Sequence, residues 1–314
     1  MPDVVITTFA LGLCAGLIRS DLRVPKGATD LISILLLFAI GLKGGMALAA
    51  TPVQWTTLLP QMLAVVALGF VIPLLLAPVL RHLVKLSGVD AASVAAHYGS
   101  VSVGTFAVAL AFVDNLNLDY EAQLTLFVVL LEMPAIAVGI LLARKAQGKA
   151  SGDWGKLAHE VLASKGMLLL GSGVLIGALY GEQGLAPIAP LFLDLFKGWL
   201  ALFLLEMGLC AAGALPDLKR EHWRLALFAV VVPPLLALLS LPLALTMGLS
   251  LGGTVLLMTL VASCSYIAAP AAIRMAVPEA NLGLAIAASL AVTFPFNTLV
   301  GIPLYHQLAL WAQS

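Results

Sequence analysis

Ten runs of apolar residues, each close to the length a helix needs to cross a bilayer, take up most of this chain and leave only short connections. They fall near 4–18, 28–50, 57–80, 91–113 and 120–143, then near 167–181, 190–214, 223–247, 252–276 and 282–311. With 61% hydrophobic and 10% charged residues, against about 25% charged in an ordinary soluble domain, the chain has too little polar surface to cover itself in water. Lipid offers no partner to a free N–H or C=O, so these runs must close their own backbone hydrogen bonds. The predicted class is therefore an all-α polytopic membrane protein with ten transmembrane helices.

The runs divide into two sets of five, 1–143 and 167–314, around the one sizeable polar stretch at 144–166. The halves echo each other: Ile40-Gly41-Leu42-Lys43-Gly44-Gly45 resembles Met207-Gly208-Leu209-Cys210-Ala211-Ala212, and Pro134 and Gly139 correspond to Pro295 and Gly301. Two copies of an odd-numbered unit enter the membrane in opposite senses, which predicts a five-plus-five inverted repeat. Loop charge agrees. The connections after runs one, three, five and seven hold thirteen Lys and Arg, while those after runs two, four, six and eight hold none. This asymmetry places the 144–166 linker in the cytoplasm and both termini outside the inner membrane. Met1-Pro2-Asp3 lacks the positive region of a signal peptide, so the first run is expected to remain as a span.

Two polar clusters interrupt this apolar background. Ala95 to Thr105 carries His97, Tyr98, Gly99, Ser100, Val101, Ser102, Gly104 and Thr105, and Ser263-Cys264-Ser265-Tyr266 followed by Pro270 stands at the corresponding place in the second half. Paired interruptions of this kind are how transporters build a site at the bilayer midplane, where two broken helices meet. Close packing of small residues is the alternative. Candidate ligand residues are Gly99, Ser100, Val101, Ser102, Gly104, Thr105, Ser263, Ser265 and Tyr266. Intramembrane charges cost about 2.5 to 3.5 kcal/mol each and need a partner or a cavity. Among Lys43, Glu132, Asp194, Lys197, Glu206 and Arg274, the first two are the candidates for ion coupling, with Ser263 and Ser265 beside them. Glu132 precedes Pro134, expected to disrupt its helix, and in a compact half-repeat Lys43 would reach Glu132. Asp194 and Lys197 are spaced to pair on one helix, Arg274 to snorkel, and His97 to sit hydrogen-bonded in the core. Cys14, Cys210 and Cys264 read as small core residues, since none shows metal-like spacing. No catalytic motif is present, so the chain is not expected to be an enzyme. A net charge of zero argues against a nucleic-acid partner.

At these residues the chain resembles the sodium-dependent bicarbonate transporter family. The resemblance rests on Gly41-Leu42-x-Gly44-Gly45, Gly99-x-Val101-Ser102 with Thr105, Glu132-x-Pro134-Ala135, Ser263-x-Ser265 with Ile267, Pro270 and Arg274, Pro278-x-Ala280-Asn281, and Gly301-Ile302-Pro303-Leu304-Tyr305. It covers nearly the whole chain. It implies two crossed broken helices in a core domain that moves as an elevator against a gate domain. It also implies bicarbonate at facing helix ends with sodium beside it, a homotrimer in lipid, and a PII-like regulatory partner. Tyr266 stands where the family pattern has an acid, and Lys43 where it is commonly uncharged, so weak sodium dependence is expected. Readings left open beside bicarbonate transport are a permease for another small carboxylate and a transport-inactive receptor for the PII-like partner.

Overall fold

The computed structural model describes residues 4–50, 55–148 and 165–314, together with Gly155, His159 and Ala163. Most of the 149–164 part of the predicted linker thus lies outside the described residues. The chain forms α1 (Val4–Leu17), α2 (Lys26–Ala50), α3 (Trp55–His82), α4 (Gly88–Gly99), α5 (Val103–Asn115) and α6 (Leu124–Ala146). After the linker come α7 (Lys165–Leu185), α8 (Phe196–Ala214), α9 (Trp223–Thr246), α10 (Leu251–Ala262), α11 (Ala268–Ala276) and a composite α12 (Leu282–Gln313). No strand occurs among the described residues.

Among the described residues, eight segments are long and apolar enough to cross a membrane, one of them the α4–α5 pair, and α1 and α10 are shorter apolar helices. The fourth and ninth runs are each split in two. Pro270 does not make the second break, as its place in the sequence suggested: it lies in the first turn of α11, where its missing N–H costs nothing. Nor does Pro134 break α6, which is continuous from Leu124 to Ala146. The sixth run continues beyond its expected end at 181, since α7 reaches Leu185 with a kink at Gly181, where φ is 60°. The seventh is shorter than expected, because a π-turn at Pro190–Asp194 precedes α8.

The helices sort into two groups. In one, α1 packs along α8 and α2 along α7; the other contains α3 to α6 and α9 to α12. The first group is sewn together by small residues. Gly41 faces Leu170 and Gly173, and Gly45 faces Val174 and Gly177, so α2 and α7 run side by side in the same direction. In α1 and α8, Gly12 faces Leu205, Gly16 faces Ala212, and Gly208 faces Phe9. Without a hydrophobic effect to join helices in lipid, close backbone approach supplies the dispersion contacts that hold them. The second group turns Leu63, Phe70 and Leu74 of α3 and Leu227, Val231 and Leu235 of α9 outward, the faces expected to meet lipid.

Of the three cysteines read as core, only Cys264 is buried; Cys210 is partly buried and Cys14 exposed. Arg274 is exposed at the end of α11, as expected of a snorkelling residue.

A Cβ on Gly45 would collide with the Val174 carbonyl and the Ala178 nitrogen, whereas one on Gly171 meets nothing within 4 Å. Gly45→Leu should therefore cost about 3 kcal/mol or more of stability through overpacking. Gly171→Ala should be neutral or gain about 0.5 kcal/mol. Thermal unfolding in detergent distinguishes the two.

Candidate functional site

Each broken helix is built by the same arrangement of serines. Ser87 caps the start of α4, Ser100 follows its last residue, and Ser102 caps α5; Ser250 and Ser263 hold the equivalent positions around α10, and Ser265, two residues before the cap position Ile267, reaches the first turn of α11. A serine oxygen accepts well from the first turn of a helix and competes with helical continuation, so the chain stops and restarts at these residues. The Ser102 Oγ accepts from the Thr105 N–H at 3.0 Å, and the Ser265 Oγ from the Ala269 N–H at 3.0 Å.

The two breaks cross and close each other's hydrogen bonds. The Ser102 N–H donates to the Ser263 Oγ at 2.9 Å, and the Ser265 N–H donates to the His97 carbonyl at 2.8 Å. Ser263 passes its own hydrogen to the Leu260 carbonyl at 2.7 Å. Extended backbone at this depth is tolerable only when satisfied in this way.

A cavity of about 480 Å³ opens between the helix groups and ends on the crossing. Its inner end is lined by Val101, Ser102, Val103 and Gly104 of the first break and Ser265, Tyr266, Ile267 and Ala268 of the second. Glu132 of α6 and Phe203 and Met207 of α8 form its walls. The starts of α5 and α11 both lie here, presenting backbone N–H groups and the positive ends of two helix dipoles to one space. At the mouth, Asp30 of α2 is paired with Lys165 of α7 at 3.1 Å.

The predicted ligand residues therefore divide. Val101, Ser102, Gly104, Ser265 and Tyr266 reach the cavity, whereas Gly99, Ser100, Thr105 and Ser263 are buried behind it. Gly99 is a packing residue: a Cβ there would meet Pro73 at 2.7 Å and Ala135 at 3.1 Å. Tyr266 is 8% exposed and stacks edge-on against Phe294; its hydroxyl lies over Gly104, near Ser102, without a well-formed hydrogen bond to either. Glu132 is 3% exposed and its Oε2 has no hydrogen-bond partner. His97 donates from Nδ1 to the Ser93 carbonyl at 2.7 Å, as expected of a core histidine.

Lys43 does not meet Glu132. Its ammonium pairs with Asp114 at 3.5 Å and lies 4.5 Å above the Phe196 ring. Nor does Lys197 pair with Asp194; it donates to the Asn115 side chain. The compact half-repeat suggested otherwise because Asp114 and Asn115, at the end of α5, read as loop residues. Two lysines of the first helix group thus hold the C-terminal end of α5, where the helix dipole favours cations. Tyr120 shares this corner, with burial first and the Asp114 carboxylate second pushing its phenol up to about 12.

Several polar residues escaped the sequence reading. The Asn297 amide donates to the Ala262 carbonyl at 2.9 Å and accepts from the Tyr305 hydroxyl at 2.7 Å. Thr293 donates to the Ala229 carbonyl at 2.7 Å and accepts from the Tyr98 hydroxyl at 2.6 Å. Glu121 accepts from the Ser250 N–H at 2.6 Å at the start of α10. An amide inside the apolar 282–311 run was the available signal for Asn297. π-Turns on either side of Pro295 carry Thr293 and Asn297 inward.

The family model of the Na+-dependent bicarbonate transporter superfamily matches residues 4–310. The chain belongs to that superfamily. No curated protein matches it significantly. As a member of the bicarbonate transporter superfamily it is a multi-pass membrane transporter and not an enzyme, and its crossed serine breaks are the part of the fold that faces the cavity.

Ser263→Ala would leave the buried Ser102 N–H without its acceptor and should cost about 1 to 3 kcal/mol. Ser100→Ala, whose hydroxyl has no partner, should cost much less. Unfolding midpoints of the two purified variants provide the comparison.

Proposed function

We propose that this transporter carries bicarbonate across the bacterial inner membrane, held at the crossing of the two broken helices. The observation that carries this reading is the convergence of two helix N-termini on one buried cavity, an arrangement suited to a small anion without any cationic side chain at the binding end. The family match supports bicarbonate as the anion. The repeated serine pattern supports a five-plus-five inverted repeat of ten spans. The division into two helix groups supports an elevator in which α3 to α6 and α9 to α12 move against α1, α2, α7 and α8. With the basic loops in the cytoplasm, both termini lie outside and the mouth at Asp30 and Lys165 opens inward. A homotrimer and a PII-like partner on the cytoplasmic face belong to the same reading. Buried polar side chains in the cavity lining that lack a hydrogen-bond partner favour transport over a purely receptor role.

Coupling to sodium is expected to be weak. Tyr266 brings a phenol rather than a carboxylate to the crossing. Hard cations prefer carboxylate and carbonyl oxygens.

Labelled bicarbonate should accumulate in proteoliposomes above empty vesicles, and Ser102→Leu and Ser265→Leu should abolish uptake while leaving expression nearly intact. Wild-type flux in both variants would reduce the serine clusters to packing. Replacing sodium by choline at fixed pH should leave wild-type flux nearly unchanged, and a steep sodium requirement would overturn the coupling reading.

A further inference from the structure

We infer that Tyr266 and Glu132 make the site selective for an oxyanion that carries its own hydrogen, rejecting planar anions that have none. This rests on the reading of the cavity as an anion-transport site. Consider which hydrogens and lone pairs the cavity offers. Ser102 and Ser265 use their oxygens to accept from the Thr105 and Ala269 N–H groups, so each hydroxyl keeps its hydrogen, Ser102 within reach of the Tyr266 oxygen and Ser265 in the cavity lining. The Tyr266 hydroxyl, buried at the same end beside Ser102, has no well-formed acceptor for its own hydrogen and is a third donor. Against these stands the Glu132 carboxyl group, buried in the cavity wall, whose Oε2 has no hydrogen-bond partner.

A hydrogen-bearing oxyanion satisfies both sides of that inventory. Its oxygens accept from the hydroxyls and the helix N-termini, and its own O–H donates to Glu132. Nitrate, with the same charge, shape and oxygen count as bicarbonate, can accept from every donor but gives nothing to the carboxylate, which would face an anion without a hydrogen between them. Leaving a buried acceptor unpaired carries its full desolvation penalty, and sites built to pair with a substrate hydroxyl reject analogues lacking it far more strongly than apolar pockets reject a missing methylene. Tyr266 and Glu132 are thus specificity residues, one reading the oxygens and the other the hydrogen.

The test is uptake of labelled bicarbonate into proteoliposomes at fixed pH, with unlabelled bicarbonate or nitrate as competitor. Wild type should be inhibited by bicarbonate and scarcely by nitrate in large excess. Tyr266→Phe should raise the KM for bicarbonate about tenfold, equivalent to roughly 1.4 kcal/mol, while preserving the discrimination against nitrate. Glu132→Gln can turn its amide N–H toward the ligand, so nitrate should become an effective inhibitor. Nitrate competing in wild type as well as unlabelled bicarbonate would overturn the inference while leaving bicarbonate transport standing. Glu132→Gln with unchanged selectivity would overturn it too. Absence of any bicarbonate uptake or exchange in wild type would instead remove the transport reading beneath it. Should Glu132→Gln fail to give a monodisperse protein, the wild-type competition and Tyr266→Phe decide the matter.

Discussion

A helix interrupted within a bilayer must find partners for the backbone groups it exposes, and here each interruption supplies partners for the other. Ser102 leans on Ser263, and Ser265 leans on the carbonyl of His97. Neither break would be stable alone, since an unpaired amide in hydrocarbon costs several kcal/mol. The mutual arrangement keeps four helix ends at one depth, so that backbone dipoles can do the work usually given to charged side chains. The cavity, the convergence of N-termini and the open hydroxyls all follow from it.

The architecture was legible in the sequence wherever hydrophobic length or serine placement decided it. Apolar runs located the helices to within a few residues, and the clusters at 99–105 and 263–266 marked both breaks. What the sequence did not disclose was pairing across distance. Lys43 and Glu132 are both costly intramembrane charges, and joining them was the simplest economy, but α5 ends with Asp114 beside Lys43, leaving Glu132 buried in the cavity wall without that partner. Only the packing of α2 and α8 against α5 reveals this. Pro134 and Pro270 misled for a related reason: proline disrupts a helix according to which backbone partner it removes. At Pro270 the N–H is one a helix start leaves free. At Pro134 the helix runs on unbroken.

The small-residue seams explain why the two helix groups differ in texture. Along α2 and α7 the backbones approach so closely that even a methyl group has no room at Gly41, Gly45, Gly173 or Gly177. Such a seam resists sliding, because each glycine is a notch filled by its neighbour. The contacts that α5 and α11 make through the cavity, by contrast, are separated by open volume. Stiffness is concentrated within the first group and adaptable space lies between the groups, a distribution consistent with a fixed frame and a moving part.

The α5 helix links two chemistries that would otherwise be remote. Its first turn lines the cavity, and its last residues are held by Lys43 and Lys197. Thirteen residues of continuous helix span about 20 Å, and a helix of that length is a strut: axial displacement at one tip appears at the other almost undiminished. Any shift of the cavity end of this strut is therefore also a shift of Asp114 away from or toward a lysine. Occupancy at one membrane depth and ion pairing at another become a single mechanical coordinate.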